Sequence, residues 1–138
     1  MNAIFYSQDF SLMVKIVFAL ILGILIGAER QKMGKSAGMR THSLVCMSSA
    51  AIVAVSMVAF PVPDSGARAI SAVLTGIGFL GAGQIMVNKG KISGLTTAAS
   101  IWASSIVGMI AGLGYYFIAA AVTVLIFAVF QLKNYMEP

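Results

Sequence analysis

The sequence has 138 residues, of which 59% are hydrophobic and only 9% carry a formal charge. A soluble domain would have charged side chains at roughly a quarter of its positions, so water is not the main solvent of this surface. The net charge is +5, but the basic residues are spread between apolar runs. This distribution gives no support for nucleic-acid binding, and the single cysteine, Cys46, excludes an internal disulfide.

Five apolar runs follow one another, at residues 11–28, 44–60, 69–87, 95–112 and 115–132. Each run lies near the lower limit of the about 17–25 residues that a helix needs to cross a bilayer. The sequence therefore predicts an all-α integral membrane protein, in which residues 1–138 form one compact bundle of five short transmembrane helices. The last two runs meet at the short turn Gly112-Leu113-Gly114, so a re-entrant pair is an alternative to two spans.

Basic residues assign the connectors to the two sides of the membrane, because cytoplasmic loops carry an excess of lysine and arginine. Alternate connectors and the tail hold most of them: Arg30, Lys32, Lys35, Arg40, Lys89, Lys91 and Lys133. The other side holds Asp9, Asp64 and Arg68. This distribution predicts an N-terminus outside and a C-terminus in the cytoplasm.

Small residues recur at the spacing that brings transmembrane helices into close contact. They are Ala19, Gly23 and Gly27 in the first run, Gly76, Gly78, Gly81 and Gly83 in the third, and Ser100, Ser104, Gly108 and Gly112 in the fourth. Tight crossings are predicted from them. Packing within the chain is favoured, with a face for a homo-oligomer as the alternative.

No catalytic or metal-binding arrangement emerges from the sequence. His42 and Cys46 lie four residues apart, but zinc sites use three or four ligands, so we expect packing roles and no metal or other cofactor. The carboxylates Asp9, Glu29, Asp64 and Glu137 all lie outside the middle of the apolar runs. Proton-coupled transporters usually mark their path with buried ionisable residues. We therefore expect neither an enzyme nor a pump within one protomer.

Polar residues at the cytoplasmic ends of the helices are the candidate functional residues. Thr41 or Ser43 is expected to cap the second helix. An ion pair between Glu29 and Arg40 is predicted, because a cation at a helix N-terminus needs a partner. Solvated charges are the alternative. At the outer face, Asp64 is expected to cap the third helix and to pair with Arg68.

The same cytoplasmic face is predicted to attract anions. Two helix N-termini lie there beside basic residues, namely Arg30, Lys35, Arg40 and Lys89. Helix N-termini bind phosphate groups, so anionic phospholipid head groups in the surrounding bilayer are the simplest expected ligands. A soluble anion or an acidic partner is the alternative.

Residues 23–45, GILIGAERQKMGKSAGMRTHSLV, and residues 68–112, RAISAVLTGIGFLGAGQIMVNKGKISGLTTAASIWASSIVGMIAG, resemble the MgtC/SapB family of bacterial membrane proteins. The runs AGMRTH, GIGFLGAG and GLTTAAS, in that order, are the most specific part of the resemblance. It covers the first four apolar runs. Many members continue into a cytoplasmic C-terminal domain, whereas this sequence ends at Pro138, so we expect the membrane module alone.

The resemblance implies a five-span protein of the bacterial inner membrane, linked to magnesium homeostasis, adaptation to low magnesium and, in pathogens, survival inside host cells. It also implies a non-enzymatic regulator of a membrane-protein partner, including the F-type ATP synthase. An ion channel or transporter assembled across protomers is the alternative. Positions carried over from the family motifs are Glu29, Arg30, Lys35, Arg40, Thr41, His42, Asp64, Arg68, the glycines at 76, 78, 81 and 83, and Gly94, Thr96 and Thr97.

Overall fold

Five α-helices and one β-hairpin follow one another in the computed structural model, which describes residues 2–132, with side chains from Ser7 onwards. The helices are α1 (Asn2–Lys32), α2 (Met39–Ala59), α3 (Ser65–Ala82), α4 (Leu95–Gly112) and α5 (Tyr116–Gln131). Strands β1 (Met86–Asn88) and β2 (Lys91–Ser93) pair antiparallel between α3 and α4. The predicted all-α bundle is confirmed, and the hairpin is an addition to it.

Four of the helices are long and apolar enough to cross a membrane: α1 over Ser7–Lys32, α2, α3 and α4. Helix α5 is apolar but has 16 residues, which is about 24 Å of helix against a core of about 30 Å. It nevertheless runs the same depth as α4. Phe130 near the end of α5 and Thr97 near the start of α4 both contact Arg30. This geometry favours two antiparallel traverses over a re-entrant pair.

Apolar side chains cover the outside of the bundle, while several polar side chains lie inside. Phe117 is 86% exposed and Phe79 is 83% exposed. By contrast, Ser49, Ser104 and Thr123 are buried. A large apolar exterior is unfavourable in water, so this arrangement fits a bundle whose surroundings are lipid.

Glycines bring α1 and α4 into backbone contact with α2, which lies between them. A Cβ atom on Gly23 would lie 2.6 Å from the carbonyl oxygen of His42, and one on Gly27 would lie 2.5 Å from the Cα of Met39. On α4, a Cβ on Gly108 would overlap the backbone of Cys46. The close approach predicted for these glycines is thus present within the chain.

The glycines of α3 behave differently. A Cβ added at Gly76 or Gly78 would have nothing within 4 Å in the described part of the chain, and one at Gly81 would make only an ordinary contact with Ala98. The tight packing predicted for Gly76 and Gly78 is therefore not found within the protomer. Helix α3 packs through Val73 and Ile77 instead, in a cluster that includes Val45 of α2 and Ile101 of α4.

Helix α3 ends at Ala82, not at residue 87 as predicted, because the chain turns into the hairpin. Lys89 and Gly90 both have positive φ, at 48° and 79°. A two-residue loop with two positive φ angles matches the twist of paired strands. Gly94 then has φ +85°, and a Cβ there would collide with the carbonyl oxygen of Gln84. The hairpin thus folds back tightly against the end of α3 before α4 begins.

The predicted pair at the opposite end of the bundle is wrong. Asp64 occupies the N-cap position of α3, as predicted, and its carbonyl accepts from the N–H of Arg68 at 2.9 Å. Its φ is 67°, however, and its side chain makes no capping hydrogen bond. Arg68 donates a long hydrogen bond of 3.5 Å from Nη2 to the carbonyl oxygen of Pro63. Within residues 2–132 no ion pair joins Asp64 to Arg68. The left-handed turn explains the missing side-chain bond, because a residue that caps a helix through its side chain normally has an extended backbone.

Candidate functional site at the basic end of the bundle

Five chain segments meet at one end of the bundle, which we call the basic end: the last turn of α1, residues 33–38, the β-hairpin, the first turn of α4 and the end of α5. Contacts between side chains connect them. The hydroxyl of Ser36 donates to Oε1 of Gln84 at 3.0 Å, and Nε2 of Gln131 donates to Oε1 of Glu29 at 3.0 Å. The structure thereby places the basic connectors of the sequence together on one side.

The turn after α1 fixes the position of Lys35. Gly34 has φ +65°, its N–H donates to the carbonyl of Gln31 at 3.0 Å, and the N–H of Lys35 donates to the carbonyl of Arg30 at 3.1 Å. These two bonds and the left-handed glycine form a Schellman motif. The motif directs the chain back over the end of α1, so Lys35 lines the same two cavities as Arg30.

Arg30 is buried, with 2% of its surface exposed. Its Nη2 donates to Oγ1 of Thr97 at 3.2 Å, and its guanidinium carbon lies 4.8 Å from the centre of the Phe130 ring. In the described part of the chain its Nε has no hydrogen-bond partner. A buried charge normally has an ionic partner. Arg30 instead holds α1 against α4 and α5 through a neutral hydroxyl and an aromatic face.

His42 continues this polar network into the bundle and is 0% exposed. Its Nδ1 donates to the carbonyl of Gly38 at 2.9 Å, and its Nε2 lies 3.1 Å from Oγ of Ser100. The Ser100 hydroxyl also lies 2.8 Å from the carbonyl of Thr97. With Nδ1 protonated and the ring neutral, the Ser100 hydroxyl can donate its one hydrogen either to Nε2 of His42 or to the Thr97 carbonyl. His42 therefore links the first turn of α2 to the second turn of α4.

The Ser100–His42 contact lies inside the bundle. Both side chains are buried, and neither lines the cavities at the basic end. The His42 Nδ1 bonds a backbone carbonyl where a triad would have a carboxylate. Cys46 donates from Sγ to the carbonyl of Ser104 at 2.9 Å. Across residues 2–132, no group of three or more His, Cys, Asp or Glu side chains could hold a metal ion.

Glu29 does not pair with Arg40, so the predicted ion pair is wrong. Glu29 accepts from Gln131 and has a loose ion pair with Lys32 at 3.9 Å. Gly27, which touches the start of α2, is two residues before Glu29. Two residues correspond to about 200° around a helix, so Glu29 lies on the opposite side of α1 and faces α5.

Helix α2 begins earlier than predicted, which also corrects its cap. Its first residue is Met39 and its N-cap is Gly38, not Thr41 or Ser43. Arg40 is exposed and lines a separate polar cavity of about 380 Å³ with Lys35 and Thr41. The Gln31 side chain serves this start, because its Oε1 accepts from the N–H of Met39 at 3.4 Å. A Cβ atom at residue 38 would lie 2.9 Å from the same oxygen, so glycine leaves room for that contact.

The predicted inner-face residues therefore lie at three places rather than in one site. Arg30, Lys35, Thr96, Thr97 and Gly94 line one cavity of about 300 Å³ between α1 and α4. Glu29 lies on the α5 side of α1, and Arg40 lies at the start of α2. Sequence reasoning missed both the burial of Arg30 and the contribution of Phe130 and Gln131 from α5.

The apolar exterior and the four membrane-length helices define a multi-pass membrane protein. The model of the MgtC family matches residues 16–138, and the chain belongs to that family. Among its relatives, Protein MgtC of Salmonella typhimurium (strain 14028s / SGSC 2262) is 42% identical over 117 residues, which are 85% of this chain and 50% of the relative.

Two further relatives show the same pattern. The Putative magnesium transporter YhiD of Escherichia coli (strain K12) is 40% identical over 128 residues, covering 86% of this chain and 60% of the relative. Protein SrpB of Synechococcus elongatus is 38% identical over 131 residues, covering 84% of this chain and 72% of the relative. The chain thus spans about half the length of the MgtC proteins that it matches. No solved structure matches it.

Proposed function

We propose that this chain is a non-enzymatic regulatory protein of the bacterial inner membrane, which contributes to magnesium homeostasis by acting on a membrane-protein partner such as the F-type ATP synthase. The link to magnesium is supported by the relative named as a putative magnesium transporter. A regulatory role, in preference to transport, is supported by the interior of the bundle.

The observation that carries this proposal is the closed contact between α1, α2 and α4. Glycine residues on α1 and α4 leave no room for a Cβ against the α2 backbone. The buried hydroxyls of Ser104 and Thr123 donate to carbonyls of their own helices, both at 2.9 Å. Hydroxyls paired in this way do not form a continuous row of free ligands. This geometry favours a closely packed interior over a continuous polar path.

The charges near the interior also disfavour a cation path. Magnesium prefers carboxylate, carbonyl and water oxygens, but the side chains of Asp9 and Asp64 are exposed and Glu29 is only partly buried. The charge that is buried at the basic end belongs to Arg30. A positive charge at that position would repel a divalent cation entering from the basic end.

A second candidate function, ion transport by an assembly of protomers, is favoured by the name of the E. coli relative. It requires a path between subunits. Such a path would lie outside the closed interior described above. The two candidates therefore make opposite predictions for ion flux through the purified protein.

Flux measurement in liposomes separates the two candidates. The protein is reconstituted, and magnesium, proton and potassium fluxes are compared with those of protein-free liposomes, of Glu29→Gln and of the matched control Asp9→Asn. We expect no flux above the protein-free level for any variant. A magnesium flux that Glu29→Gln abolishes and Asp9→Asn preserves would overturn the regulatory proposal and support transport.

The regulatory role itself is tested in inverted membrane vesicles, where ATP-driven proton pumping is measured with and without the chain. We expect the chain to change the pumping rate without changing the passive proton leak. An unchanged pumping rate, at a verified level of folded protein, would contradict action on the ATP synthase.

A further inference from the structure

Two cavities at the basic end meet at the same three residues. One has a volume of about 300 Å³, and a neighbouring one has about 470 Å³. Both are lined by Arg30, Lys35 and Thr96. We call this shared region the Arg30 pocket. On one side it continues along the hairpin end and the start of α4, and on the other along the apolar end of α5.

The guanidinium of Arg30 carries an unbalanced positive charge in this pocket. Its contacts are the Thr97 hydroxyl and the Phe130 ring, neither of which is an anion. Glu29, the adjacent carboxylate, bonds Gln131 and Lys32 instead. No acceptor within residues 2–132 reaches Nε of Arg30. Placing a cation in a buried position without a counter-ion is unfavourable, so an anion in the pocket would relieve that penalty.

The start of α4 adds a second attraction for an anion. Its N-cap, Gly94, has no side chain to satisfy the first-turn N–H groups, which have no partners within the helix. Unpaired N–H groups and the helix dipole together bind phosphate groups. Gly94 has φ +85° and touches the carbonyl of Gln84, so the loop holds the first turn of α4 at the pocket.

Lys35 supplies a second positive side chain from a fixed backbone. The Schellman motif at Gly34 places Lys35 over the end of α1, and Lys35 lines both cavities. Lys89, which lies in the hairpin turn and is exposed, lines neither. Of the four basic residues that were predicted to attract anions, only Arg30 and Lys35 line the pocket.

We propose that the Arg30 pocket binds a phosphate group through Arg30, Lys35 and the first-turn N–H groups of α4. The wall formed by Met33, Val129, Phe130 and Leu132 is apolar, and it gives an acyl chain a path out of the pocket. Phosphate on a phospholipid head group and free inorganic phosphate share this chemistry. The inference goes beyond the proposed function, and its failure would leave the regulatory proposal standing.

The test uses the full chain in nanodiscs of phosphatidylcholine alone or with phosphatidylglycerol. Native mass spectrometry counts the phosphatidylglycerol molecules retained, and inorganic phosphate is titrated as a competitor and as a ligand. We expect Lys35→Gln to lower the affinity about tenfold, the loss typical of one charge-assisted hydrogen bond. The matched control Lys89→Gln removes the same charge from the same end and should change the affinity by less than about twofold.

The outcomes answer two questions: whether the site exists, and whether its phosphate belongs to a lipid or to a free anion. Selective retention of phosphatidylglycerol, with no effect of inorganic phosphate, supports the site and assigns it to lipid. Binding of inorganic phosphate that depends on Lys35 supports the site and assigns it to a free anion. Equal losses for Lys35→Gln and Lys89→Gln would mean general surface attraction and would overturn the proposal, as would no retention of either probe.

A variant of Arg30 adds a readout that a purely structural role would not move. Arg30→Lys keeps the charge but removes Nε and the planar guanidinium, which lysine cannot replace. We expect the folded variant to bind phosphate more weakly than the unmodified chain. If Arg30→Lys lowers the unfolding temperature and leaves phosphate affinity unchanged, Arg30 serves packing alone and the proposal fails.

Discussion

Gly108→Ala tests the contact on which the closed interior depends. A Cβ atom at residue 108 would overlap the carbonyl oxygen of Cys46 and lie 2.9 Å from the Cα and the carbonyl carbon of that residue. All three are backbone atoms, so no change of rotamer relieves the collision. Helix α4 must therefore move away from α2, and the contacts along both helices must loosen with it.

The expected loss of stability follows from two opposing effects. Overpacking costs about 1–3 kcal/mol of folding free energy. We expect a value near the top of that range, because the added methyl group meets backbone atoms of Cys46. Alanine favours the helix by about 1 kcal/mol over glycine. The net loss is then about 2 kcal/mol, which corresponds to a fall in unfolding temperature of roughly 5–15 °C. Gly76→Ala is the matched control, because nothing lies within 4 Å of its added methyl group.

The single cysteine provides the assay. Cys46 is 0% exposed, so a thiol-reactive fluorogenic dye labels it only when the bundle opens. Detergent-solubilised protein is heated with the dye, and loss of helix is followed in parallel by circular dichroism. We expect Gly108→Ala to unfold well below the unmodified chain and Gly76→Ala to unfold at the same temperature or higher. Equal unfolding temperatures for the two variants would refute the backbone contact.

Two further predictions concern topology and the hairpin. In a Cys46→Ala background, a membrane-impermeant maleimide added to intact cells should label Asp64→Cys and spare Lys89→Cys, and the reverse labelling would invert the orientation. Gly94→Ala should destabilise the folded chain by about 1–3 kcal/mol, because it combines a positive φ with a collision on the Gln84 carbonyl. The dye assay in the native background measures that loss, and an unchanged unfolding temperature would count against the tight turn at Gly94.

The number and order of the helices could be predicted from the sequence, because apolar runs are local signals, but the ends of α2 and α3 could not. It also contained the hairpin, which we did not predict. The residues NKGK place Lys89-Gly90 between two short extended segments, and a glycine in a two-residue loop is a recognised hairpin signal. The apolar character of residues 83–87 favoured a continued helix instead. The turn at Lys89 and Gly90 therefore ends the third span earlier than its hydrophobicity indicates.

The burial of Arg30 was also accessible from the sequence. The small residues Ala19, Gly23 and Gly27 were predicted to face a neighbouring helix, and Arg30 lies three residues beyond Gly27 on the same face of α1. The partners of Glu29 were less accessible. They depend on which helix lies beside α1 at that face, and the contact with Gln131 joins residues 102 positions apart. Lateral helix order is a tertiary property that connector charges do not determine.

The interior contacts and the Arg30 pocket can be perturbed separately, which makes the two proposals independent. Gly108 lies on α4 against Cys46, more than two helical turns beyond Thr97. Its substitution should therefore lower the stability of the fold and leave the phosphate affinity of the folded chain nearly unchanged. Lys35 is outside the helices and only partly buried. Lys35→Gln should therefore lower the phosphate affinity and leave the stability of the ligand-free chain nearly unchanged. A ligand that binds only the folded state raises stability through its own affinity. Phosphatidylglycerol should therefore raise the unfolding temperature of Gly108→Ala, and it should raise that of Lys35→Gln by a smaller amount.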